Sequence, residues 1–137
     1  MTLPTDNSTP RYVIQHHSGH GADHCDLMLQ RGDVLWTWQL DEPLSPQAGA
    51  MPARRIGDHR LAHLDYEGPI SRGRGQCRIV DRGRLSWLEL GDERIVVALR
   101  DGSSAGRYEL VLADATAGLW RIRPVQATPG TPGSASR

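Results

Sequence analysis

Apolar and polar positions alternate along most of this chain. From Arg11 to His17 an extended strand carries Tyr12 and Ile14 on one face and Val13, Gln15 and His17 on the other. The run from His24 to Gln30 repeats the pattern, with Cys25, Leu27 and Leu29 on one face and His24, Asp26 and Met28 on the other. Arg31-Gly32-Asp33 then reads as a turn, and Val34–Leu40 completes a short hairpin. Asp41 to Pro52 is rich in proline and alanine without periodicity, which predicts a long surface loop. His59 and His63 would share a helical face, but the Asp65–Pro69 stretch limits any helix to one turn. Further on, Cys77–Asp81, a turn at Arg82-Gly83 and Arg84–Leu90 predict a second hairpin. Arg94–Arg100 and Arg107–Ala113 predict a third, and Gly118–Arg123 a last strand. There is no βαβ alternation and no internal repeat, so the pattern predicts an antiparallel barrel or sandwich. Polar Met1–Pro10 is expected to be flexible, and Val125–Arg137, made largely of Pro, Gly, Ser and Thr, a disordered tail. Residues 11–124 remain as a single domain.

A length of 137 residues is enough to bury a core. Sixteen basic and sixteen acidic residues cancel, so no global field draws in nucleic acid or an anionic membrane. Every basic residue is arginine and phenylalanine is absent, a bias that fits a GC-rich genome, so only local arginine clusters carry information. Arg54-Arg55 and the Arg72 and Arg74 pair in Ser-Arg-Gly-Arg-Gly are such clusters, the latter suited to phosphate contacts. Cys25 and Cys77 have no metal or redox spacing and read as reduced, buried small hydrophobes. Neither a signal peptide nor an apolar run of membrane-spanning length is present, so a cytoplasmic protein with no membrane partner is expected.

Four of the six histidines fall between His16 and His24. His24 and Asp26 share a strand face, and an imidazole beside a carboxylate suits a borderline or hard divalent cation. His17 can add a third ligand from a neighbouring strand. A lone His-x-Asp is more often a surface pair, so the crowding of histidines is what raises the metal reading. Trp36 and Trp38 face one side together and are expected to pack in the core rather than stack on bases. Trp87 and Trp120 are expected in the core as well.

Three stretches together resemble a known family. Val13-Ile14-Gln15-His16-His17, His24-Cys25-Asp26-x-x-Leu29 and Asp58-His59-x-Leu61-x-x-x-Asp65-Tyr66-Glu67-Gly68 are similar to the 3'-phosphoesterase domain at the N-terminus of bacterial DNA ligase D. That family reads roughly VVQKH, HYDFRLE and DHPLEYADFEG at these places and continues into a turn like Asp81-Arg82-Gly83. The similarity runs from about Arg11 to Arg123, and the third stretch is its most specific part. It implies a mainly β chain, a compact antiparallel β-barrel with little helix. It also implies a manganese-dependent enzyme that removes a 3'-phosphate and a terminal 3'-ribonucleotide from DNA ends, leaving a hydroxyl. Mn2+ is the implied cofactor, with Zn2+ or Co2+ as alternatives. The implied partners are DNA 3' ends, on a primer-template or at a strand break, together with a DNA ligase or end-joining machinery.

Carried over by position, the metal ligands are His17, His24 and Asp26. The catalytic histidine is His59, and His63 stands where the family has tyrosine. Three departures accompany the match. The loop between His17 and His24 is one residue longer, so His16 or His20 competes as a ligand. The family's arginine and glutamate after the metal aspartate are Met28 and Gln30. Arg54, Arg55, Arg72 or Arg74 is then expected to supply the phosphate contact. In its His-x-Asp-Leu-Met-Leu pattern the chain looks more like shorter stand-alone relatives. Two other readings are a degenerate nucleic-acid-binding module, which Met28 favours, and a cupin-like small-molecule metalloenzyme, which the missing His-x-His disfavours.

Overall fold

The computed structural model describes residues 9–126, which form nine antiparallel strands and two short 3-10 turns. In order these are β1 (Arg11–Ser18), β2 (His24–Arg31), β3 (Val34–Leu40), β4 (Met51–Arg60), the turn Leu61–Leu64, β5 (Gly68–Pro69), the turn Ser71–Gly73, β6 (Gln76–Leu90), β7 (Arg94–Arg100), β8 (Gly106–Asp114) and β9 (Leu119–Val125). Neighbours run β1-β2-β3-β4-β9-β8-β7-β6, and β6 pairs back onto β1, so eight strands close a barrel. The two-residue β5 adds to the other edge of β6. Closure pairs ladder groups that an open sheet would leave at its edges. The expected compact antiparallel barrel with little helix is therefore the fold.

The alternation read from the sequence decides which side chains fill the barrel. Tyr12, Ile14, Cys25, Leu27, Leu29 and Trp38 all join one interior cluster with the apolar residues of β7, β8 and β9. Trp38 packs edge-on to Trp120, and the partly buried Trp36 edge-on to Trp87, so all four tryptophans serve packing. Both cysteines are buried and free, and burial pushes the Cys25 thiol up to about 11. A second, smaller cluster lies on the opposite face of the same wall. There Val13, Met28 and Leu35 are covered by Leu64, with Leu61 and Ile79 beside them. Burying a leucine of this kind is worth about 2 kcal/mol, and it seats the turn Leu61–Leu64 on the outside of the barrel.

Two expectations fail for physical reasons. Met51 and Pro52, expected as the end of the loop from Asp41, instead open the ten-residue β4, Met51–Arg60. Pro52 is tolerated because it lies at the second residue of the strand, where a missing donor disturbs the ladder least. The predicted turn at Arg82-Gly83 does not exist: β6 runs straight through it for fifteen residues. Its first half pairs with β1 and its second half with β7. A Cβ on Gly83 would sit 1.9 Å from the Arg100 carbonyl oxygen, so the glycine permits close strand approach instead of a turn. The expectations for Met1–Pro10 and for the tail from Val125 fall largely outside the described residues. Within them, Pro10 accepts a hydrogen bond from the Leu85 amide and Val125 ends β9. No helix among the described residues is long and apolar enough to cross a membrane.

Candidate metal centre

Three adjacent strands build the site on the outer face of the barrel wall. His17 on β1 lies directly opposite His24 on β2 and Cys77 on β6. Asp26 is two residues along β2 from His24, so it shares that face. The His17 and His24 rings stack at 4.8 Å. His17 Nε2 lies 3.0 Å from Asp26 Oδ2, and His24 Nε2 lies 3.7 Å from Asp26 Oδ1. One ligand atom from each of the three falls within 4.8 Å of the others.

This arrangement fits a divalent cation. Asp26 is only 2% exposed, yet its Oδ1 has no hydrogen-bond partner, and neither has the buried His17 Nε2. Buried polar atoms without partners cost about 1–3 kcal/mol each, and a cation between them would satisfy both. Bonds of about 2.0–2.2 Å to one centre place donor atoms roughly 3–4 Å apart, close to the spacing present. Cys77 is less suited to join as a thiolate, because burial raises its pKa. His16 points away from the trio and lies 3.6 Å from Asp23. His20 lines the adjacent cavity without joining the three.

That cavity, of about 700 Å3, brings His59 and His63 to the same place as His17 and His24. The β3–β4 register shifts between Leu35 and Thr37, where Thr37 faces Ile56 and Leu35 faces His59. The extra β4 residue turns His59 onto the outer face, as bulges beside functional sites commonly do. Its Nδ1 lies 3.0 Å from the Gly57 carbonyl oxygen and 3.0 Å from Thr37 Oγ1. Gly57 O can only accept, and the Thr37 hydroxyl already donates to Leu35 O at 3.1 Å. The proton therefore sits on Nδ1, which leaves Nε2 as the free ring nitrogen. His63 stands edge-on to His59 with 5.0 Å between centroids. Burial, followed by the nearby His59, Arg60 and His17, holds the His63 imidazole below its ordinary value.

The covering segment is tied down from below. Gln15, fully buried, donates from Nε2 to the carbonyls of His63 at 2.8 Å and Tyr66 at 3.0 Å. Glu67 Oε2 accepts from the Ile79 amide at 2.7 Å, and the Tyr66 hydroxyl donates to Pro69 O. Gly75, at φ +84, lies so close to β1 that a Cβ there would meet Ser18 O at 2.1 Å. Gln15 and Thr37 were not singled out from the sequence. Both are polar residues on otherwise mixed or apolar faces, and that oddity was the available signal.

The four expected phosphate contacts separate. Arg74 lines the cavity. Arg54, on the exposed part of β4 opposite Gln39 and Leu119, does not. Arg55 is committed elsewhere: its guanidinium lies 4.7 Å from both the Trp36 and Trp38 rings and 3.2 Å from Asp58. Arg72 occupies a left-handed conformation at φ 65 in the turn Ser71–Gly73 and lies outside the lining. Arg60, which follows His59 and was not expected, lines the cavity instead.

Comparison with known proteins agrees with this architecture. A family model described as the DNA Ligase D 3'-phosphoesterase domain matches residues 15–116. That span holds His17, His24, Asp26, His59 and His63. No curated protein matches the chain.

Proposed function

This chain belongs to the DNA ligase D 3'-phosphoesterase family, and on that premise we propose that it is a metal-dependent phosphoesterase that clears blocked 3' ends of DNA. The substrate is a 3'-phosphate or a terminal 3'-ribonucleotide, and the product is a hydroxyl end. The observation that carries the reading is the buried, unpartnered pair of His17 Nε2 and Asp26 Oδ1 beside the cavity that holds His59. Manganese is the proposed cation, held by His17, His24 and Asp26; their two imidazoles and one carboxylate also accept zinc or cobalt. When bound it supplies Lewis-acid neutralisation of charge at the phosphoryl group.

The remaining work falls to the chain's own residues. Thr37 and Gly57 fix the His59 ring through Nδ1, so Nε2 is the atom that moves a proton. In the hydrolysis of a 3'-phosphate, Nε2 first takes up a proton from solvent; water then adds to phosphorus and gives its own proton to solvent, while the P–O bond to the 3' oxygen breaks and Nε2 passes its proton to that oxygen. His63, whose pKa burial holds below its ordinary value, offers a hydrogen-bonding group to the phosphoryl oxygens. The covering turn Leu61–Leu64, tied to Gln15 through His63 O, keeps both histidines facing the metal ligands. A DNA ligase or end-joining partner would then use the hydroxyl end.

The test is a primer-template ending in 3'-phosphate, incubated with manganese or with chelator, using the wild-type chain and His24→Ala. Manganese-dependent phosphate release that disappears in the variant is the expected result. Binding of the primer-template without any release would instead identify a catalytically inactive binding module, the reading that apolar, fully buried Met28 favours.

A further inference from the structure

Among the described residues, two arginines that line the cavity, Arg60 and Arg74, keep their charge free of carboxylates, as do Arg31, Arg54, Arg72, Arg78, Arg100, Arg107 and Arg121 away from it. Arg11, Arg55, Arg82, Arg84, Arg94 and Arg123 each form an ion pair with a carboxylate. The two arginines at the cavity do not. Arg74 holds only neutral oxygens, donating from Nε to Ser71 O at 2.9 Å and from Nη2 to Ser71 Oγ at 3.1 Å. Those bonds use one edge of the guanidinium and fix its position, while the edge that carries Nη1 stays open. Arg60 has extended backbone at φ -78 and ψ 153 and is exposed. It has no hydrogen-bond or ion-pair partner among the described residues, and its charge acts on His63 in the cavity. Part of the cavity lining is apolar, contributed by Met28, Ile70 and Cys77. An anion in this cavity therefore meets guanidinium groups only at the rim, one from the end of β4 and one from the loop before β6.

We propose that Arg60 and Arg74 form a two-arginine clamp for the terminal phosphate of a nucleic-acid 3' end, and that this clamp selects phosphorylated ends over hydroxyl ends. The inference rests on the 3'-end reading given above and adds to it the residues that choose the substrate. A phosphomonoester carries about 1.5–2 negative charges near neutral pH and three acceptor oxygens. A backbone diester carries one charge and two free oxygens. Two guanidinium forks lining one cavity match the former, since each can take two oxygens in a charge-assisted pair.

The experiment uses fluorescent primer-templates that end in 3'-phosphate or 3'-hydroxyl, titrated with the full chain in chelator and followed by anisotropy. The wild-type chain is expected to prefer the phosphate end by roughly tenfold. Arg60→Ala and Arg74→Ala each lower that ratio, and the double variant brings it to about one. Arg60→Lys keeps part of it, because charge survives while the fork is lost. Arg121→Ala, on β9 away from the cavity, leaves the ratio unchanged. Both target arginines are exposed, so thermal melts should coincide with the wild type. A ratio retained in the double variant, or absent from the wild type, overturns the clamp. Phosphate release that fails while the ratio survives would overturn the enzymatic reading and leave the clamp standing.

Discussion

Two carboxylates near β1 have opposite surroundings. Asp81 accepts three hydrogen bonds, from the Tyr12 hydroxyl and from the amides of Ser103 and Ser104, each at 2.9 Å. Burial works against its ionisation, but bonds from Ser104, Tyr12 and Ser103 outweigh that and hold its carboxyl below the usual range. Asp26 is buried more deeply and has an oxygen with no donor at all. Its neighbours are the two imidazoles of His17 and His24. A carboxylate ringed by donors fastens one segment to another, here the loop before β8 to β1. A carboxylate buried beside two imidazoles, with an oxygen left unpartnered, is the arrangement that the proposed cation would complete.

The largest effect should come from breaking the Asp26 side of this contrast. Asp26→Asn removes the anionic ligand and should lower phosphate release by about a thousandfold or more, since several kcal/mol of charge stabilisation depend on the cation. Stability separates the metal reading from a simple ion pair. If Asp26 only paired with a protonated His17, Asp26→Asn would destabilise the fold by about 3–5 kcal/mol. As a ligand set, the variant in chelator should be as stable as the wild type or more so. Manganese at a hundred times its Kd should stabilise the wild type by about 2.7 kcal/mol and leave the variant unmoved. Thermal melts with and without metal decide between the two.

Asp81→Asn should give the reverse pattern: a stability loss of about 1–3 kcal/mol with unchanged metal-induced stabilisation. The pH dependence follows from the sign of the shift. Because the folded pKa of Asp81 is lowered, its stabilisation is fully present above the ordinary carboxylate range. It disappears as pH falls through that range to the lowered folded value. Urea unfolding between about pH 5 and about pH 2 should therefore be less steep in Asp81→Asn than in the wild type. Equal slopes would remove Asp81 from its anchoring role.

The same contrast shows what the sequence could and could not reveal. Strand alternation is local, so the faces of β1 and β2 were legible, and with them the grouping of His24 with Asp26. The motif match covered His17 and His59 as well. Glycine was ambiguous: Gly83 signals a turn by composition but serves a close strand contact. The β4 bulge, which turns His59 outward, left no mark that periodicity detects, and Pro52 masked the start of that strand. Which arginines reach the cavity depended on non-local packing. Arg55 is drawn onto two tryptophans from β3, whereas Arg60 is left at the rim.

The smallest expected effect probes a polar group placed between these extremes. Thr37 is completely buried, and its hydroxyl both donates to Leu35 O and sits 3.0 Å from His59 Nδ1. Buried behind the His59 ring, it acts by positioning. Thr37→Val keeps the shape of the side chain and removes the oxygen, at a cost of about 1 kcal/mol. Gly57 O still accepts from Nδ1, so the ring is loosened but not released. The rate constant for phosphate release should fall by roughly threefold to tenfold, with KM and metal affinity unchanged. Thr37→Ser, which restores the oxygen, should recover most of it. A variant that lost metal binding as well would place Thr37 in the general packing of the wall, and one with a wild-type rate would leave Gly57 as the sole determinant of the His59 tautomer.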